Sequence, residues 1–495
     1  MTDLVLSTLN AKFIHASLGL RSLQANLGAL RERSVLREFV IHDRPADIAE
    51  RLMAYEPKLI GLGIYVWNAQ VSLEVVRILK RVAPQVVVVL GGPEVRYEQT
   101  QQEICSLADH VIAGEADHAF RQLCEAVLEG RPVTRGVQVA APPALASVAL
   151  PYELFTERDL QHRVIYVEAS RGCPYQCEFC LSSMDDGVRR FDTEAFLAAL
   201  DTLIARGARQ LKFVDRTFNL DLKVTTRILE FFLERASLGV FAHFELVPDR
   251  LPEGLRALIA RFAEGALQLE VGIQTWDVET AARISRRQDY GKTEDNLRYL
   301  RQHTRAHLHT DLIVGLPGET LQSIAAGFDR LVALDPHEIQ VGILKRLRGT
   351  PIIRHDKQWS MVYSPSAPYE LLQNSTLGFA QLQHLKRFAR AWDLVGNSGR
   401  YRALRELVLS LHVSAFEAFA DWSRWLHLEV GDFTGLAPER LSGLISAFLI
   451  SRGVAADRVA AARTGDERDR ELARQHVRAE SKKLKRQVLH AQSEP

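Results

Sequence analysis

The chain has 495 residues, of which 47% are hydrophobic and 25% charged, with a formal net charge of +1. This is folding material for about three domains at ~150 residues each, which excludes disorder as the main state. A net charge so close to zero gives no reason to expect nucleic acid or another polyanion as a general partner.

From Met1 to residue 135 apolar runs alternate with helical periodicity. Asp3–Leu9, Leu59–Ile64 and Val86–Leu90 read as strands, the last running into Gly91-Gly92-Pro93, and Val111–Ile112 before Ala113-Gly114-Glu115 reads as a fourth. Leu18–Leu30 and Val71–Val82 carry apolar residues at spacings of three and four and read as helices. Such alternation predicts a parallel, doubly wound, Rossmann-like sheet, with ligands at the carboxyl ends of its strands. Residues 136–160, with Pro142, Pro143 and Pro151, read as a linker, for which Pro132 prepares.

A second β/α series occupies residues 161–358. Its strands are expected at Val164–Glu168, Gln210–Val214, Val240–Leu246, Ala266–Val271, Leu308–Val314 and Glu338–Leu344. Fewer than eight units fit, so a partial TIM-type (β/α) barrel is expected, with chemistry at the strand carboxyl ends. Residues 359–495 read as mostly helical, with helices at Tyr369–Val395, Arg402–Leu426 and Pro438–Ile450; the proline of the last stands at a first-turn position. Arg458–His490 mixes charges and turns basic at Lys482–Arg486, either a solvated tail or a local anionic contact. No run approaches the ~18 apolar residues of a membrane span and no leader-like stretch opens the chain, so a cytoplasmic protein is expected.

Five cysteines are too few for a secreted disulfide framework, and three of them crowd into Cys173-Pro-Tyr-Gln-Cys177-Glu-Phe-Cys180. A C-x₃-C-x₂-C loop after a strand can hold three irons of a [4Fe–4S] cubane and leave the fourth open, where cubanes usually take four thiolates. A structural zinc loop is the rival, but zinc sites commonly use four ligands in paired C-x₂-C elements, and Cys105 and Cys124 offer no such pairing.

This segment resembles the radical S-adenosylmethionine (SAM) superfamily. The resemblance implies that Cys173, Cys177 and Cys180 ligate the cluster, that SAM chelates the open iron, and that one electron cleaves it to a 5′-deoxyadenosyl radical. It implies Phe179 beside the adenine. Asp215, in Phe213-Val-Asp-Arg-Thr-Phe-Asn219, stands where many members carry a Gly-Gly-Glu element for the SAM amino group, and a carboxylate suits that ammonium. Glu245 resembles the carboxylate that meets the ribose or amino acid moiety. Gln274 in Glu270-Val-Gly-Ile-Gln274, and Gly315 in the stretch from Asp311 to Thr320, resemble later strand ends that approach adenosine.

A doubly wound domain ahead of such a barrel resembles the cobalamin-dependent class. Its implied cobalamin contacts are Tyr65, Trp67 and Asn68 in one loop, Gly91, Gly92, Pro93 and Glu94 in the next, and Gly114 and Glu115 after the fourth strand. Gly91 and Gly92 would leave room for a macrocycle, and Tyr65 and Trp67 would offer flat apolar surface. A flavodoxin-like domain is the rival; a G-x-G-x-x-G dinucleotide fingerprint is absent. The Asp-x-His-x-x-Gly loop that supplies histidine to cobalt is also absent, so cobalt is expected without a histidine ligand and His15 as a polar pocket or core residue. Methylthiotransferases carry three further cysteines in their first domain; here Cys105 and Cys124 read as small buried hydrophobes. The last segment resembles the uncharacterised DUF4080 domain and is expected to close the barrel mouth, with Trp392, Trp422 and Trp425 in its core.

The resemblance as a whole implies a cobalamin-dependent radical SAM enzyme that methylates an unactivated carbon of a small-molecule or peptide substrate, with flavodoxin or ferredoxin as reductant. Its rivals are a radical rearrangement or cyclisation without methyl transfer, and a non-catalytic corrinoid or redox sensor.

Overall fold

The structure is a computed structural model that describes residues 2–185 and 187–472. The Lys482–Arg486 run lies outside the described residues.

The first sheet has six parallel strands: β1 (Leu4–Asn10), β2 (Ser34–Val40), β3 (Leu59–Gly63), β4 (Val87–Gly91), β5 (His110–Gly114) and β6 (Gly136–Ala140), in the order β2-β1-β3-β4-β5-β6. All seven residues of β1 are buried, as expected of a strand covered on both faces. Ser17 caps the helix Leu18–Ala25, its Oγ accepting from Leu20 N at 3.2 Å. Two strands were not legible in the sequence. β2 (SVLREFV) has only Phe39 buried, and β6 is an edge strand with four of its five residues exposed, so neither gives an apolar run. The beginning of the expected linker is therefore a strand of the first sheet, paired Val111↔Val137 and Ala113↔Val139.

The second sheet contains β7 (Ile165–Val167), β10 (Gln210–Phe213), β11 (Phe241–Leu246), β12 (Leu267–Gln274), β13 (His307–Val314) and β14 (Glu338–Ile343), all parallel and in sequential order, an open part of a barrel. Between β7 and β10 a short antiparallel hairpin pairs β8 (Ser170–Cys173) with β9 (Gly187–Arg190). Along β12 the residues Leu267, Leu269, Val271 and Ile273 are buried against helices, while Gln268, Glu270, Gly272 and Gln274 alternate onto the other face. β13 repeats this with His307, His309 and Asp311. Register then aligns Glu245, Glu270, His309 and Glu338 as one polar row across four strands.

In the last segment the expected helix Tyr369–Val395 begins only at Phe379. The residues before it are not helical, because Tyr369 O and Leu371 N bond to the chain leaving β14, and Leu371–Gln373 (β16) pairs with Val362–Tyr363 (β15). The expected helix Arg402–Leu426 is two, Arg402–Leu409 and Ala415–Val430, the second capped by Ser414 Oγ, which accepts from Glu417 N at 3.1 Å. Trp392 and Trp422 are buried and Trp425 stacks on Trp422, as expected of core residues. One hydrophobic core runs unbroken from the barrel helices into these carboxyl-terminal helices, whereas the first sheet has separate cores on its two faces. Among the described residues no helix is long and apolar enough to cross a membrane.

Candidate functional site

Cys173 ends β8, and Cys177 and Cys180 follow in a turn closed by Cys180 N donating to Cys177 O at 3.0 Å. Gly172 is required here: its φ is +93° and a Cβ would collide with Gly187 O across the hairpin. All three thiols line one cavity of about 350 Å³, with Tyr175, Phe179, Arg216, Glu245, Glu270, Gln274, Arg286 and Asp311. Among the described residues no three His, Cys, Asp or Glu side chains converge on a single ion position. A cubane does not need that, since each thiolate takes a different iron, and three thiols on one cavity wall fit it. Burial pushes the Cys173 and Cys177 thiols up, and Arg286, whose Nη1 lies 3.5 Å from Cys177 Sγ, offsets only part of the rise at Cys177. Glu178, between the cysteines, fastens the loop: its Oε2 lies 2.8 Å from His355 Nε2 and its Oε1 accepts from Ser285 Oγ at 2.5 Å. Cys105 and Cys124 pack in the cores on opposite faces of the first sheet, where burial pushes Cys105 up to about 11 and Cys124 higher still.

The strand ends supply polar groups to the same cavity. Glu245 Oε1 accepts from Arg216 Nη1 at 2.9 Å. Glu270 Oε2 lies 3.1 Å from Lys212 Nζ and 2.9 Å from His243 Nε2; burial works to raise its carboxyl, but these partners outweigh it and hold it at about 2. His309 sits between Asp311 (3.2 Å) and Glu338 (3.0 Å), which overcome burial and bring it to about 10. Gln274 stands at a register shift with φ +70°, which turns it into the cavity.

Two expected SAM contacts are elsewhere. Asp215 is 3% exposed, absent from the cavity wall, and occupied by its own chain: Oδ2 accepts from Ala169 N at 3.0 Å and Oδ1 from Ser170 Oγ at 2.5 Å. It locks the start of the cysteine hairpin, and the neighbouring Arg216 and Thr217 face the cavity instead. Gly315 has φ +93° and makes room for Leu371 of the carboxyl-terminal segment rather than for a ligand.

On the first sheet, Tyr65 and Trp67 stack with ring centroids 4.5 Å apart. Both line a cavity of about 790 Å³ between the two sheets, with His15, Pro93, Glu115, Tyr166, Arg171 and Lys212. Trp67 is 46% exposed, an indole held by Leu9 O at 3.2 Å with a bare face. A smaller cavity of about 200 Å³ at the strand ends is walled by Gly63, Gly91, Gly92, Gly114 and Glu115. Bare glycines and a flat aromatic surface fit a macrocyclic cofactor.

Three expected contacts here serve the fold. Asn68 is fully buried and fastens its own turn, accepting from Tyr65 N at 2.8 Å and donating to Leu9 O and Gly63 O. Gly92, at φ +103°, is demanded by Ile64, whose backbone a Cβ would strike. Glu94 is buried away from both cavities against Arg348 and Tyr369. Gly91 is different: a Cβ there would meet nothing nearer than Ile112 O at 3.9 Å. His15 lines the larger cavity with Nδ1 2.8 Å from Tyr166 OH, and burial lowers its pKa, in keeping with a polar pocket residue.

The three cavities share walls. Arg216, Glu245 and Glu270 belong both to the cysteine cavity and to the central one, which shares Gly19, Ser22, Tyr65, Glu115 and Arg171 with the glycine cavity. Sequence reasoning missed Arg171, Arg216, Lys212 and Arg286, which carry no motif; alternation in β12 and β13 was the available signal for Glu270 and Asp311.

A family model for the B12 binding domain matches residues 5–124, one for the radical SAM superfamily residues 167–331, and one for a protein of unknown function, DUF4080, residues 357–433. Fold, cysteine site and these matches define a radical SAM protein with a B12-binding domain. Among curated relatives, the chain is 28% identical to the cobalamin-dependent radical SAM methyltransferase TokK of Streptomyces tokunonensis, over 58% of this chain and 47% of that one. It is 27% identical to 2-(S-pantetheinyl)-carbapenam-3-carboxylate methyltransferase of Streptantibioticus cattleyicolor, over 57% and 46%. The chain spans about half the length of these relatives. The solved structure of radical S-adenosylmethionine methyltransferase TsrM from Kitasatospora setae, with cobalamin and a [4Fe–4S] cluster bound, has the same fold at a TM-score of 0.59 and 18% identity, covering 74% of this chain and 76% of that one. In chain order, then, the protein carries a B12-binding domain, a radical SAM domain and a DUF4080 region.

Proposed function

We propose that this chain is a cobalamin-dependent radical SAM methyltransferase acting on an unactivated carbon of a small molecule or peptide. The observation that carries the reading is the shared walls: the cysteine cavity, the central cavity and the glycine-ended strands meet, as they must if methyl donor and radical source serve one substrate. When bound, the cluster supplies the electron that cleaves SAM, and cobalamin supplies the methyl group.

The chain's part is to hold and orient. Cys173, Cys177 and Cys180 ligate three irons, with Phe179 against the adenine. Glu245, Gln274, Glu270 and Asp311 offer acceptors to the SAM amino acid and ribose, while Arg216 keeps Glu245 aimed. Tyr65 and Trp67 present a flat face, and Gly91 leaves room for the macrocycle. The residues facing the central cavity donate no histidine by an Asp-x-His-x-x-Gly loop. Flavodoxin or ferredoxin is the proposed reductant and the cytoplasm the proposed location, since three free thiols must stay reduced. The two curated relatives described above, both methyltransferases by name, support this reading over rearrangement or a sensor.

The test is anaerobic reconstitution with iron, sulfide, cobalamin and SAM under a strong reductant. Methylation yields both 5′-deoxyadenosine and S-adenosylhomocysteine, and Cys177→Ala should abolish both. 5′-Deoxyadenosine without S-adenosylhomocysteine, in the presence of turned-over substrate, would favour rearrangement; formation of neither would leave a sensor.

A further inference from the structure

The DUF4080 region lines none of the three cavities, contrary to the expectation that it closes the barrel mouth. Its Tyr369 reaches instead the loop that walls two of them, beside the connector between β14 and the matched region. After β14 the chain passes over Pro93–Glu98. Arg348 Nε lies 2.9 Å from Glu94 Oε1, and Tyr369 OH donates to the same oxygen at 2.7 Å. Glu98 receives Arg348 Nη1, Arg346 Nη2 and Gly349 N, each at 3.1 Å. Gly349 is pressed so close to the Tyr97 ring that a Cβ would strike it. The Glu94 side chain is 3% exposed and that of Arg348 14%, so this is a buried contact in which losing one partner strands the other. Tyr369 is itself held at φ +57°, its carbonyl accepting from Arg346 N at 3.0 Å. From Glu94 the restraint passes to the cavity wall, since Glu94 N donates to Ile64 O at 3.3 Å and Ile64 N to Gly91 O at 2.8 Å.

We propose that Tyr369 of the DUF4080 region, with Arg348 of the connector before it, is a positioning pair for the corrinoid: together they set the Gly91–Glu94 loop in the geometry that receives the macrocycle, without touching it. This rests on the cobalamin reading above, so the test has one arm that needs no cofactor.

In the cofactor-free full chain, Tyr369→Phe should speed hydrogen exchange of the Gly91–Glu98 amides about tenfold while the other strands of the first sheet keep their rates; unchanged exchange would overturn the proposal. In the reconstituted chain the same variant should raise the hydroxocobalamin dissociation constant about tenfold, with iron content and SAM affinity as in the unaltered chain. Equal losses of cobalamin and iron would make the contact a general brace and overturn it. Glu94→Ala should by itself produce the loss, so that adding Tyr369→Phe to it costs nothing more; additive losses would show that the two act apart and overturn the proposal. If the unaltered chain takes up no corrinoid, the function proposed above falls, and the exchange arm alone decides whether the clamp exists.

Discussion

Arg171, two residues before the first cysteine, places Nη1 2.7 Å from Asp117 Oδ2, in the helix Asp117–Leu128 of the first domain. The same guanidinium lies 2.8 Å from Glu115 and 3.0 Å from Glu168. The cysteine hairpin is thus tied to the far domain through buried charge. Asp117 shows the strength of the tie: burial works to raise its carboxyl, yet Arg171 holds it below the usual range.

Arg171→Met should leave Asp117 and Glu168 without their cation, while Glu115 keeps Arg189, at a cost of about 3–5 kcal/mol. Denaturant midpoints of the cofactor-free chain measure this. A shift smaller than that of an exposed pair such as Arg77 and Glu103, worth about 0–1 kcal/mol, would contradict the burial argument.

Glu245 and Asp215 should separate. Glu245→Gln should weaken SAM binding by about 10- to 150-fold, the loss of a hydrogen bond to a charged group, and leave stability nearly unchanged. Asp215→Asn should do the reverse, because its oxygens serve Ala169 and Ser170 rather than the cavity. Isothermal titration with SAM, paired with urea unfolding, distinguishes them; matched losses of SAM affinity would restore Asp215 to the pocket.

Adjacent glycines should also part. Gly91→Leu points into open space and should fold normally while blocking hydroxocobalamin uptake. Gly92→Ala meets the Ile64 backbone at a positive φ and should lower stability whether or not a corrinoid is present. Where cobalamin does bind, the Co(II) paramagnetic resonance spectrum should lack nitrogen splitting from an axial imidazole and be unaltered in His15→Ala. A nitrogen-coupled signal lost in that variant would identify His15 as a ligand.

Glu319 sets a pH dependence. It is 3% exposed, its Oε1 accepts from Thr275 Oγ at 2.5 Å, and burial pushes its carboxyl up to about 8. The folded chain therefore holds this proton more tightly than the unfolded chain. The resulting stabilisation is complete below the unfolded value of 4.5 and is lost as pH rises to about 8. Glu319→Gln cannot ionise, so between pH 5 and pH 9 it should gain on the unaltered chain by at most about 5 kcal/mol. Parallel stability curves for the two would show the carboxyl already ionised at neutral pH.

Much of this was legible where burial and periodicity agree. All six barrel strands were expected within a few residues, because each carries an apolar face that packs, wholly or in part, against the helices. The three cysteines were legible because their spacing suffices without neighbours. What stayed hidden depended on distant partners. Nothing local to Asp215 says that Ser170 will occupy it, and nothing in Leu90-Gly-Gly-Pro-Glu94 says that Glu94 will turn toward Arg348, 254 positions later. Edge strands such as β6 are quiet for the opposite reason: solvent on their outer side removes the apolar run.

The continuous core has a consequence for how the chain is divided. The radical SAM match ends at residue 331 and the DUF4080 match begins at residue 357, yet Phe328, on the helix Leu321–Ala333, packs edge-on against Phe388 and Trp392, with centroids 5.0 and 4.8 Å apart. A chain cut between the two matches would present that aromatic face to water and forfeit its burial. The border recorded by family inheritance is not a seam in the material: barrel and carboxyl-terminal helices are two inherited pieces and one folding unit.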